Sequence, residues 1–247
     1  MKTSILLRSI MVLCAALVVS APASAGPLYW NMQTLTSTTN GLPTSLTVGA
    51  LTQANSGTTG LSSVLPSTGY TFTLNGASQT ASGSNNLAFS VASGILSTAS
   101  SSYVAVNFSL LPGRTGTISA IGFGSRVEAT GPTTLTLRSS LDNYAANVAT
   151  FVSGSSGVWT YFTNTFTTPV SLSGTNTNVT LRLYGSGGTG GVDNWRVDDL
   201  QFTVAVVPEP SAIALAVFGA AGIAVATRRL RKAAPAESAR SEESSQG

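Results

Sequence analysis

The middle of this 247-residue chain predicts an all-β fold, an antiparallel β-sandwich of jelly-roll type, and three observations lead there. Short segments alternate apolar and polar residues with the two-residue period of a half-buried strand. In 103 to 110, for example, Val104, Val106, Phe108 and Leu110 are apolar while the odd positions are mostly polar. Glycine and proline fall between such segments, as at Pro112-Gly113, Gly131-Pro132 and Gly187-Gly188. No amphipathic helix of useful length interrupts them, so helical crossovers are not expected and two packed antiparallel sheets are.

This body is flanked by two hydrophobic ends. Lys2 and Arg8 precede an apolar stretch from 10 to 19, and Ala23-Ser24-Ala25 supplies small residues at the cleavage positions Ala23 and Ala25. Residues 1 to 25 therefore read as a secretory signal peptide, which makes the secretion machinery and signal peptidase the first partners. Cys14, the one cysteine, lies inside the segment to be removed, so the mature body has no thiol or disulfide chemistry.

Residues 26 to 206 are enough for one domain with its own core. The alternation marks strands at 46 to 51, 70 to 74, 87 to 91, 103 to 111, 118 to 127, 134 to 141, 158 to 166, 179 to 184 and 197 to 206. Patterning is weakest from 26 to 83. The charges of the body are Arg114, Arg126, Arg138, Arg182 and Arg196 against Glu128, Asp142, Asp193, Asp198 and Asp199, five against five, with no Lys and no His. The net +3 of the whole chain comes from its two ends, so no nucleic-acid surface is expected.

The C-terminal end has three parts in order. Val207-Pro208-Glu209-Pro210 breaks regular structure, residues 211 to 227 form an uncharged, strongly apolar run, and the basic cluster Arg228, Arg229, Arg231 and Lys232 follows. As a helix the run reaches about 25 Å, slightly less than the roughly 30 Å hydrocarbon core of a bilayer, so flanking arginines must snorkel or the membrane thin. The basic cluster stays cytoplasmic and the body lies on the far side. The competing reading of the run is a buried hairpin or core helix. Residues 233 to 247 have the polar composition of a disordered cytoplasmic tail.

This order resembles the PEP-CTERM sorting signal of bacterial surface proteins, with Pro208, Glu209 and Pro210 as the triplet and 207 to 232 as the whole signal. The resemblance implies recognition by an exosortase-type membrane protease, cleavage near the triplet, and delivery to the cell surface or the extracellular medium. It also implies an association with exopolysaccharide. The tail from 233 to 247 departs from the family, which usually stops after the basic cluster.

A second resemblance concerns the body. Residues 121 to 126, 130 to 132, 137 to 142 and 192 to 200 are similar to β-sandwich ectodomains that accompany this signal and to carbohydrate-binding modules of jelly-roll type. Such modules often bind sugars or a structural calcium.

Chemistry in this body has to come from carboxylates, hydroxyls, amides and rings. Asp198 and Asp199 are adjacent, and in regular strand geometry adjacent side chains face opposite ways and cannot flank one glycosidic bond. Trp195 and Val197 set one apolar phase, however, and Leu200, Phe202 and Val204 the other, so a bulge between them would bring both sets to one face. Such a bulge could aim both carboxylates outward as oxygen ligands for a structural Ca²⁺, the one cofactor considered. The competing reading is a solvated strand with Arg196 as the partner.

Trp159 and Tyr161 share one face of a strand, with Val158 and Phe162 on the other, and an exposed pair would make a sugar-stacking platform. Trp195 reads as core. Arg126 and Arg138 are expected to pair with Glu128 and Asp142, and Gly185 to Gly191 to form a flexible loop. The leading function is a non-enzymatic surface or matrix protein. The alternatives are a module that binds exopolysaccharide and, less favoured for the lack of His and the scarcity of carboxylates, a glycan hydrolase.

Overall fold

The computed structural model describes residues 24–36, 45–57, 60–173 and 178–208, together with the single helical positions Gly219, Gly222 and Val225. Residues 1 to 23, most of the span from 211 to 227, the basic cluster and the tail lie outside the described residues, and so does Ala23 of the cleavage pattern. Among the described residues no helix is long and apolar enough to cross a membrane. The body forms one unit, Pro22–Val207.

Its strands are β1 (Ser24–Trp30), β2 (Leu46–Val48), β3 (Thr52–Ala54), β4 (Leu61–Ser62), β5 (Thr71–Leu74), β6 (Ala77–Thr80), β7 (Asn86–Phe89), β8 (Tyr103–Leu110), β9 (Arg114–Val127), β10 (Thr134–Ser139), β11 (Asn147–Val152), β12 (Thr160–Leu172), β13 (Asn178–Ser186) and β14 (Trp195–Pro208). One antiparallel sheet has the order β12-β9-β14-β7-β4, with β1 also paired to β14. The other has the order β11-β10-β13-β8-β2, with β3 also paired to β8. The hairpin β5–β6 stands apart as a two-stranded sheet.

The alternation that predicts strands also packs the sandwich. Val104, Val106, Phe108 and Leu110 of β8 are all buried in one core with Leu135 and Leu137 of β10, Leu181 and Leu183 of β13, and Ile121 and Phe123 of β9. Aromatic rings join the two sheets edge to face: Phe108 meets Phe202 at 5.5 Å between centroids, and Phe123 meets Phe151 at 5.1 Å. Trp195, 0% exposed, stacks on Phe89 at 4.4 Å, as its core reading anticipates.

Several boundaries differ from the sequence expectation, each for a local reason. β10 stops at Ser139, because the Ser139 hydroxyl accepts from Leu141 N and caps a 3₁₀ turn, Ser140–Asp142. β12 begins at Thr160 and runs on to Leu172, with a register shift between Thr165 and Val170 around Pro169, which has no N–H to give. Strands β1, β3, β4, β6 and β11 lie outside the segments that the alternation marks. All four residues of β6 are exposed, and this strand exists because it closes a hairpin.

The core rests on the inter-sheet rings. Phe202→Ala should lower the unfolding free energy by about 3–5 kcal/mol in urea denaturation, while the exposed Val152→Ala should change it by less than about 0.5 kcal/mol.

Candidate functional site

Strand β14 changes partner in mid-course. Trp195 to Val197 pair with Phe89 to Leu87 of β7, and Leu200 to Val206 pair with Trp30 to Ser24 of β1. Asp198 and Asp199 occupy the gap, and Asp199 has a left-handed backbone, φ 46°. This break in the alternation is the bulge that the two apolar phases require, since Trp195, Val197, Leu200, Phe202, Val204 and Val206 all enter the same core.

The carboxylates turn inward. Asp198 is 0% exposed and Asp199 4%. Asp198 Oδ2 accepts from Ser67 Oγ at 2.5 Å, and its Oδ1 accepts from the Asp199 backbone N at 2.8 Å. Asp199 Oδ2 accepts from the Tyr70 hydroxyl at 2.6 Å, and Oδ1 accepts from the Tyr29 hydroxyl. The outward orientation expected of this pair is corrected: both carboxylates are buried, and their oxygens accept from three hydroxyls and one amide. The expected Arg196 partner is corrected too. Arg196 is itself buried, donates to Asn86 Oδ1 at 3.0 Å, Ser62 Oγ and Val64 O, and faces Asp193 at 3.9 Å.

Burial is the main force on these groups. It pushes the Asp198 carboxyl up to about 7, with the adjacent Asp199 charge adding to the rise. Asp199 is raised by burial as well, opposed by its two tyrosine hydrogen bonds. Tyr29 and Tyr70 are raised far above the usual phenol range by burial and by Asp199, so both remain donors.

Tyr29 reaches the pair from β1, and Tyr70 reaches it because the segment leading into the hairpin β5–β6 packs over β9. Tyr70, Phe72, Ala81 and Trp159 form a small second core, with Tyr29, Leu74 and Tyr161 against it. Tyr161 stacks on Tyr70 at 5.6 Å and on Phe72 at 5.3 Å, and its hydroxyl accepts from Gln201 Nε2. Gly124 is needed beneath them, since a Cβ there would overlap the Tyr70 hydroxyl. The Trp159 and Tyr161 platform is therefore corrected: Trp159 is 7% exposed, and the hairpin covers the face that a sugar would need. A cleft of about 290 Å³ between β1 and the hairpin, bordered by Tyr29, Asn31 and Gln79, reaches Asp199.

The other expected pairings divide. Arg126 Nε meets Glu128 Oε1 at 2.8 Å, as anticipated. Arg138 instead donates to Asn147 Oδ1 and Tyr144 O, while Asp142 accepts from the amides of Ala145 and Ala146 in its own turn. Gly185 and Ser186 belong to β13, and the turn after them is held by backbone bonds such as Gly187 N to Gly94 O at 2.7 Å. The hydroxyl partners Ser67, Tyr70 and Tyr29 escaped the sequence reading. They lie 129 to 170 residues from the aspartates, and no local pattern marks them.

At its C-terminal end β14 continues through Val207 to Pro208, while Glu209 and Pro210 lie outside the described residues. Residues 206–232 match the family model of the PEP-CTERM protein-sorting motif. The chain carries a PEP-CTERM sorting signal. The signal implies an exported protein processed by an exosortase, a membrane protein. No curated protein matches the chain.

Among solved structures, the isomalto-dextranase of Arthrobacter globiformis T6 complexed with panose is 12% identical, over 74% of this chain and 32% of that one, with a TM-score of 0.35. The chain thus spans about a third of that enzyme's length. The family 11 carbohydrate-binding module of Clostridium thermocellum, in complex with a β-1,3-1,4-mixed-linked tetrasaccharide, is 11% identical over 72% of this chain and 95% of that one, with a TM-score of 0.30.

The aspartate pair gives a pH test with a fixed sign. The folded-state value for Asp198, about 7, lies above its ordinary 3.8, so its contribution to stability is greatest below about pH 4 and is lost as pH rises towards 7. Melting temperatures measured from pH 4 to pH 8 should fall across that window in the wild type, and fall less in Asp198→Asn.

Proposed function

We propose that this is a bacterial surface or extracellular-matrix protein, exported by a signal peptide, held by a single C-terminal span from 211 to 227, and sorted by an exosortase-type protease. Its jelly-roll-like body then serves a structural, non-catalytic role in the envelope or the extracellular polymer. The observation that carries this reading is the sorting motif at 206–232, which begins within the last strand of the sandwich. The chemistry of the body supports the non-catalytic part. It has no His or Lys, and the oxygens of its one adjacent carboxylate pair are already bonded within the protein. The basic cluster Arg228, Arg229, Arg231 and Lys232 acts as the membrane stop on the cytoplasmic side.

Binding of exopolysaccharide is the second reading. One observation favours it, an arginine pair without carboxylate partners on the outer face of the sheet that contains β13.

Fractionation of cells that possess an exosortase tests the main reading. The wild-type protein should leave the membrane fraction in a form shortened near the triplet. Pro208→Ala combined with Glu209→Ala and Pro210→Ala should stay full-length in the membrane, as should the wild type in cells without the exosortase. Equal release of both proteins would exclude sorting through this signal.

A further inference from the structure

On the outer face of the second sheet, Arg138 of β10 stands directly opposite Arg182 of β13. Their neighbours Leu137, Leu181 and Leu183 enter the core, so by strand alternation both arginines face away from it. Like charges opposite one another across two strands repel. The body has ten charged residues in all, and nevertheless sets two of one sign together. Among the described residues the ion pairs are Arg126–Glu128 and Arg196–Asp193, and neither Arg138 nor Arg182 pairs with a carboxylate.

The surroundings fix the two guanidinium groups without neutralising them. Arg182 lies 4.4 Å from the centre of the Tyr103 ring and 4.0 Å from that of Tyr144, and its Nη1 donates to the Tyr184 hydroxyl at 3.3 Å. Its Nε is buried with no hydrogen-bond partner. Arg138 donates through Nε to Asn147 Oδ1 and through Nη1 to Tyr144 O, both at 2.9 Å. Tyr144 arrives there through two successive left-handed residues, Asn143 at φ 56° and Tyr144 at φ 61°. A bulky aromatic residue adopts that conformation only where the structure imposes it, and such outliers concentrate at binding sites.

We propose that Arg138 and Arg182 form a preorganised site for the carboxylate groups of an acidic extracellular polysaccharide. A planar carboxylate matches the guanidinium fork and supplies the negative charge that this pair lacks. The proposal rests on the extracellular placement given above and adds a ligand class to its second reading. Its failure would leave the sorting result untouched, because sorting is read by fractionation.

Titration calorimetry of the intact protein in detergent at low salt, with polygalacturonate as the uronic-acid probe, tests it. Dextran serves as the neutral control and dextran sulfate as the sulfated one. Binding of polygalacturonate should weaken by about tenfold or more in Arg138→Gln and in Arg182→Gln, the loss of one charge-assisted bidentate contact. Arg138→Lys should recover only part of it, since an ammonium group has no fork. Tyr144→Gly, which relieves the left-handed strain, should fold and yet bind less well. Should Arg182→Gln fail to fold, the two Arg138 variants decide. Equal affinity of wild type and Arg138→Gln for polygalacturonate would overturn the proposal, and so would tighter binding of dextran or dextran sulfate.

Discussion

The structure turns on a one-residue break in its last strand. β14 has to send Trp195 and Val197 into the core alongside β7, and then Leu200, Phe202, Val204 and Val206 into the same core alongside β1. A strict period of two cannot do both. The left-handed residue Asp199 absorbs the extra position, and the cost is the burial of two adjacent carboxylates. Everything around the break answers that cost: Ser67 and Tyr70 come from the segment leading into the hairpin, Tyr29 comes from β1, and glycine at 124 gives the Tyr70 hydroxyl room against the sheet.

The same pair links the hairpin to the sandwich. β5 and β6 hydrogen-bond as strands to each other alone, and the bonds that tie this region to the body include Tyr70 to Asp199 and Gln201 Nε2 to Thr73 O. Stacked aromatic rings supply the rest of the attachment. A polar cluster and a small apolar core therefore act together, the first fixing where the hairpin sits and the second excluding water from it.

Charge is sorted between the two sheets. Arg126 with Glu128 and Arg196 with Asp193 make local pairs. Asp198 and Asp199 remain on one sheet with hydroxyl donors and no cation, and Arg138 and Arg182 remain on the other with rings, an amide and a carbonyl. A body of zero net charge thus carries one buried acidic pair, whose oxygens accept from donors within the protein, and one outward basic pair with no carboxylate partner.

The sequence by itself determined the all-β class, most strands of the long sheets and the sorting signal, because alternation, turn residues and an apolar run followed by arginines are local properties of the chain. It also called for the bulge, since the phase change between Val197 and Leu200 is written in the order of residues. Only the tertiary structure decided what that bulge does. Whether Asp198 and Asp199 face water or Tyr29 and Tyr70, whether Trp159 is bare or roofed by a hairpin, and whether Arg138 meets Asp142 or stands beside Arg182 all depend on segments far apart in the chain. Two faces of a strand look alike in sequence when both can be apolar, and burial is settled by which distant segment packs there with its hydrogen bonds satisfied.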